Sequence, residues 1–130
     1  MDSYLAMTTL YERAGGSQTF ADLVSHFYAR VSVDPILLPL YPDSDLKAAA
    51  ERLQMFLEQY WGGPTTYSDT RGHPRLRLRH AGFHIASPQR DAWLSCMEGA
   101  INDLEIDQEV KDELWRYFQM AAHSLVNQPD

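Results

Sequence analysis

The chain has 130 residues, 45% of them hydrophobic and 22% charged, with a net charge of −7. This length suits one domain with one core, and the acidic balance excludes non-specific attraction to nucleic acid or to an anionic membrane surface. The lone cysteine, Cys96, excludes an internal disulfide and agrees with a reducing, cytoplasmic setting. No apolar run reaches the roughly 18 residues a membrane span needs.

Residues 1–8 read as a loose tail ahead of one domain over residues 9–130, with no basic-then-apolar pattern of a signal peptide. Thr9 and Glu12 form a capping box that opens a short helix through Ala14, and Gly15-Gly16 stops it. Ser17 or Thr19 caps a second helix with Phe20, Leu23, Val24, Phe27, Tyr28 and Val31 at helical spacing; Asp34-Pro35 ends it. Residues 35–42 form a proline-rich apolar corner with one turn of 3₁₀-helix. Ser44 or Asp45 caps a third helix whose buried side is Leu46, Ala49, Ala50, Leu53, Phe56, Leu57, Tyr60 and Trp61. Gly62-Gly63-Pro64 breaks it.

Residues 65–74 read as a loop, Pro74 to His80 as a short helix, and Ala81 to Ile85 as extended. Ser87-Pro88 reads as an N-cap with proline at the first position, opening a fourth helix with Trp93, Met97, Ala100, Ile101 and Leu104 inward. Asp107 caps the last helix, with Val110, Leu114, Tyr117, Phe118, Ala121 and Leu125 inward. No strand pattern competes, so the class is all-α, four long helices with short pieces between them.

Chemistry concentrates in residues 71–80. Arg71, Arg75, Arg77 and Arg79 crowd this segment of an otherwise acidic chain, and it ends in His80. His26 and His123 fall off the apolar phase of their helices and are expected to be exposed. His80 shares a helical face with Leu76. Taken singly, His80 reads first as a histidine that binds nothing, and the arginines as a solvated basic face. Together they fit an anionic ligand, because guanidinium forks match carboxylates. A histidine, arginines and apolar helix faces are also what a haem requires: an axial nitrogen, partners for two propionates, and apolar walls. A phosphate or an acidic protein partner fits these residues as well. No H-x-x-x-H or C-x-x-C spacing supports a closed zinc site.

Longer motifs narrow the choice. Gln59-Tyr60-Trp61-Gly62-Gly63-Pro64 precedes Gly72-His73-Pro74-Arg75-Leu76-Arg77 and then His80. With Phe27-Tyr28-Ala29, Leu40-Tyr41-Pro42, Arg90-Asp91-Ala92-Trp93-Leu94 and Ala121-Ala122-His123-Ser124-Leu125-Val126-Asn127, the chain resembles the group II (O-type) truncated haemoglobins from about Thr9 onward. That resemblance implies a truncated globin fold, a two-over-two helical sandwich, around haem b. It implies His80 as the proximal iron ligand, Tyr28 and Tyr41 as distal tyrosines, and Trp93 as the distal tryptophan of this group. Ala49 stands where many globins carry a distal histidine, and Leu53 is the apolar residue over the iron. Arg52 and Arg79 match residues near the propionates, while Phe56, Leu76, Phe83 and Ile85 match the haem lining.

The implied activity is reversible, tight binding of O₂, with NO and CO as other small ligands. The alternative is redox turnover at the same haem, NO dioxygenation or peroxide reduction, which calls for an electron donor or reductase. A haem-free interaction module is the third class, separated by whether the purified protein is red. Surface aromatic and aliphatic residues are compatible with a homodimer, and no feature demands one.

Overall fold

The structure, a computed structural model, describes residues 9–41, 46–72, 75 and 80–129. Among these residues it is all-helical, and the elements follow from local chemistry. In α1 (Leu10–Ala14) the Thr9 Oγ1 accepts the Glu12 N–H at 3.1 Å. Gly15, at φ 112°, supplies the left-handed residue that closes this helix. The next helix, α2 (Ser17–Val31), starts from Gly16 with no side-chain cap. Neither Ser17 nor Thr19 caps it as expected, because the Thr19 hydroxyl instead donates back to the Ala14 carbonyl at 2.6 Å. Phe20, Leu23, Val24, Phe27 and Val31 are buried at the expected spacing. Truncating one of these phenylalanines would cost about 3–5 kcal/mol through the cavity left behind.

Asp34 organises the corner that follows. Its Oδ1 accepts the N–H groups of Ile36 and Leu37, both at 2.9 Å, and a 3₁₀ turn then runs over Leu38–Leu40. The expected caps of the third helix, Ser44 and Asp45, lie outside the described residues. That helix, α3 (Leu46–Tyr60), buries Ala49, Leu57 and Glu58. The Glu58 carboxylate accepts from Gln54 Nε2 at 2.7 Å and from Ser17 Oγ at 3.3 Å, which ties α3 to the start of α2 and satisfies a buried polar group. Tyr60, placed by its spacing on the buried side, is half-exposed instead. At the last residue of α3 the helix has run past the core. Gly63 allows a close crossing: a Cβ there would stand 2.7 Å from the Tyr11 ring and 2.9 Å from the Glu58 carbonyl oxygen.

The loop expected over residues 65–74 is in fact partly helical, as α4 (Thr66–Arg71). The reason is tertiary. Gln59 of α3 accepts the Ser68 N–H at 2.9 Å and donates to the Ser68 hydroxyl at 2.7 Å, while Tyr67 is buried with its ring 5.6 Å from that of Phe56. The short helix expected from Pro74 does not run through Arg75, which has φ 48°; residues 73, 74 and 76–79 lie outside the described residues. His80 is helical, and residues 81–83 turn where an extended piece had been expected, with the Phe83 N–H donating to the His80 carbonyl at 3.1 Å.

Helix α5 (Ser87–Asn102) has Ala86, not Ser87, as its N-cap. Gln89 reaches back to accept the Ala86 N–H at 2.9 Å, so the start lies one residue earlier than its serine suggests. Asp107 stands at the N-cap of α6 (Gln108–Ser124), where its backbone carbonyl, rather than its carboxylate, accepts from Val110 and Lys111. His123 is exposed as expected; His26 is half-buried, against expectation. The α2–α3 pair packs on the α5–α6 pair through α2 against α5, and α1 touches α6. No helix among the described residues is long and apolar enough to cross a membrane.

Candidate functional site

Between the helix pairs lies a cavity of about 590 Å³, within the usual range for small-molecule and cofactor sites. Several elements build its wall. Tyr28 comes from α2, Tyr41 from the end of the corner, and Ala49, Arg52, Leu53 and Phe56 from successive turns of α3. His80, Phe83 and Ile85 come from the turn before α5, and Trp93 from α5 itself. The structure thus brings these ten sequence-derived positions to one cavity. Leu76 and Arg79 lie outside the described residues.

Two phenols meet in this wall, and an indole lines the same cavity. The Tyr28 and Tyr41 rings meet edge to face at 5.7 Å, and a side-chain hydrogen bond joins the two hydroxyls. Trp93 is wedged between Phe27, at 5.2 Å, and Phe118, at 5.5 Å, which fixes its indole between α2 and α6. Burial drives the Tyr28 hydroxyl well above the usual phenol range, with Tyr41 adding to the shift. Burial also raises Tyr41, although accepting from Tyr28 works against it. Both groups therefore stay protonated at neutral pH. Beside them, Cys96 is buried with its thiol 3.9 Å from Asp34 Oδ2; burial first, then that carboxylate, pushes the thiol up, as suits a packed rather than a reactive cysteine.

His80 sits in another part of the wall, with its ring 6.4 Å from Phe83. Its segment is held by a residue far along the chain. Asn127 Nδ2 donates to the carbonyls of Phe83, at 2.9 Å, and His80, at 3.3 Å. Its Oδ1 accepts the Ile85 N–H at 3.0 Å, and its own N–H donates to the Ile85 carbonyl at 2.8 Å. This clamp escaped the sequence reading, although Asn127 closes one of the quoted motifs.

Other wall residues were also missed. Arg71 and Arg90 join Arg52 as cations on the cavity. Tyr67 went unassigned because α4 read as loop, whereas Arg71 belongs to the arginine cluster expected to hold an anionic ligand. Tyr117, Phe118, Ala121 and Leu125 stood on an inward stripe, but periodicity does not separate a core face from a cavity face.

This donor set fits a haem. The wall is mainly apolar, as a porphyrin face needs, with one imidazole for an axial bond and guanidinium groups for carboxylates. No group of three or more His, Cys, Asp or Glu side chains suited to a bare metal ion occurs among the described residues. A helix-walled cavity of this composition, entered by a single histidine, defines a globin.

Comparison with known proteins narrows the class. The family model for bacterial-like globins matches residues 9–127. The chain is 40% identical over 115 residues to group 2 truncated hemoglobin YjbI of Bacillus subtilis (strain 168), covering 88% of this chain and 86% of that protein. A thermostable hemoglobin from Thermobifida fusca superimposes with a TM-score of 0.92 at 49% identity, over 95% of this chain and 100% of that one. The truncated oxygen-avid haemoglobin from Bacillus subtilis gives a TM-score of 0.86 at 40% identity, over 92% and 100% of the two chains. This chain belongs to the bacterial-like globins, as a truncated haemoglobin of group II, and is a haem-binding protein with the two-over-two helical fold.

Proposed function

We propose that this chain binds O₂, and other small diatomic gases such as NO and CO, reversibly and tightly at a haem b held by His80. The carrying observation is the pair of half-buried, proton-retaining phenols that line one cavity with the Trp93 indole and with His80. His80 would hold the iron of a haem, which would supply a binding position for a small gas. The chain's own residues do the rest. A side-chain hydrogen bond links the Tyr28 and Tyr41 hydroxyls and positions the pair, and the Trp93 N–H is a further donor in this reading. Ala49 leaves room beside these donors, and Leu53 and Phe56 keep the wall dry. Arg52, Arg71 and Arg90 line the same cavity, and in this reading Arg52 and Arg79 pair with propionates.

A hydrogen bond to a charged acceptor contributes about 1.5–3 kcal/mol. Each such donor then slows release of a polarised ligand roughly ten- to hundredfold. Tight, slowly released O₂ suits storage, transfer or sensing better than bulk delivery. Absorption spectra of the ferric, ferrous and gas-bound protein should show a haem held through histidine, and His80→Ala should lose that signature. Stopped-flow release should be faster in Tyr28→Phe and Trp93→Phe; rates equal to wild type in both would reject the donor assignment.

The oxidisable phenols inside the cavity favour a second reading, redox turnover by NO dioxygenation or peroxide reduction in the cytoplasm. That reading needs an electron donor or reductase. Turnover assays with NO or peroxide, against simple gas binding, separate the two.

A further inference from the structure

The corner that follows α2 decides where one of the two cavity phenols stands. Leu37, Leu40 and Tyr41 reach the cavity from this corner. Pro35 has no N–H and a fixed φ, so the chain leaves helical geometry there. The next N–H groups need partners outside a helix. Ile36 and Leu37 both donate to Asp34 Oδ1 at 2.9 Å, and Leu38 donates to the Asp34 carbonyl at 3.0 Å. Three successive N–H groups thus converge on one residue, an arrangement that short acidic side chains favour. Leu37 is 1% exposed, so solvent does not readily replace the carboxylate beside it. The 3₁₀ turn grows directly from this anchor. Leu40 donates to the Leu37 carbonyl at 2.9 Å, and Tyr41 to the Leu38 carbonyl at 3.1 Å. Any shift of the carboxylate is therefore passed on to Tyr41.

The other carboxylate oxygen faces α5. Asp34 Oδ2 stands 3.9 Å from Cys96 Sγ, one helical turn beyond Trp93. A thiol is a weak donor, and at this length it seats the carboxylate against the helix more than it binds it. Burial first, and Cys96 after it, push the Tyr41 phenol up, so the thiol and the phenol are electrostatic neighbours. Asp34, Cys96 and Tyr41 form one cluster, of which Tyr41 lines the cavity while Asp34 and Cys96 stand behind it.

We propose that Asp34 is a positioning residue for gas binding: its carboxylate holds the corner so that the Tyr41 hydroxyl stands where it slows O₂ release. This role rests on the gas-binding reading and gives it a determinant outside the cavity wall. Asp34 acts through Tyr41 and does not meet the gas itself.

The haem-loaded full chain tests this role. Asp34→Ala removes the acceptor of two N–H groups and should speed O₂ release roughly three- to tenfold, part of a full donor's effect. CO is far less polarised, so its release should stay near the wild-type rate while its C–O stretch moves to higher frequency. In the CO-bound chain the Ile36 and Leu37 amides should lose hydrogen-exchange protection. Asp34→Asn keeps an oxygen for both N–H groups and should restore all of these readouts. Asp34→Glu carries the oxygens one methylene further, so it should speed release even if the alanine variant does not fold. In a Tyr41→Phe background, Asp34→Ala should add nothing to O₂ release, because the group it positions is gone. An unchanged release rate in Asp34→Ala or Asp34→Glu, an acceleration that persists without the Tyr41 hydroxyl, or Asp34→Asn releasing as fast as Asp34→Ala would overturn the role. If Tyr41→Phe alone leaves O₂ release unchanged, the donor reading of Tyr41 falls and this role with it. If Tyr41→Phe speeds release and the Asp34 variants do not, only the positioning role falls.

Discussion

Ala49 illustrates how much a single small side chain decides. It is buried on α3, on the same wall as Arg52 and Leu53, and contributes only a methyl group where a larger residue would fill space. Ala49→Phe would project a ring toward the cavity at a site surrounded by packed side chains. Overfilling of this kind costs about 1–3 kcal/mol. Imposed on an entering ligand, the same cost slows association roughly five- to hundredfold. Flash photolysis of the CO complex should show the slower recombination, and an unchanged rate would mean that ligands enter by another path. Tyr60 is the opposite case, a large ring in phase with Phe56 and Leu57 that nevertheless stands half in water. Its outer edge meets Tyr117 and not the centre of the molecule.

At the scale of elements, the cavity has two unlike walls. Long helices α2, α3, α5 and α6 carry Tyr28, Leu53, Trp93 and Phe118, whereas His80, Phe83 and Ile85 come from a turn. That turn depends on Asn127, whose amide makes three of the bonds holding it. Each is worth about 1 kcal/mol net, so Asn127→Ala should loosen the turn by about 1–3 kcal/mol and hasten haem loss to a scavenging apoglobin. Haem retention equal to wild type would show that the turn holds without the clamp. The same contrast explains what could be read in advance. The stripes of α2 and α6 were plain because burial repeats every three or four residues along one helix. The start of α4 depends on Gln59, nine residues earlier, and the His80 turn on a partner 47 residues away; neither leaves a local pattern. The N-caps of α2 and α5 went astray for a related reason, since Thr19 and Gln89 bond backward to the chain that precedes them.

For the molecule as a whole, the half-buried phenols tie stability to alkaline pH. Tyr28, Tyr41 and Tyr117 hold their protons more tightly in the folded chain than an exposed tyrosine does, chiefly through burial. An unfolded tyrosine ionises near about pH 10. Below that value their contribution is fully present. As pH rises past it the unfolded chain sheds protons that the folded chain keeps, so stability falls. The slope is at most about 1.4 kcal/mol per pH unit for each phenol, and smaller for the partly exposed Tyr117. Urea titrations from pH 9 to 11 should show that fall, with a shallower slope in Tyr117→Phe; a flat profile would contradict the burial argument. The Asn127 clamp has one more consequence, in the order of synthesis. His80 is translated 47 residues before the amide that fixes its turn. A nascent chain therefore displays the imidazole on an unfastened segment, and stable loading with the prosthetic group must wait until the ribosome has delivered the far end of the clasp.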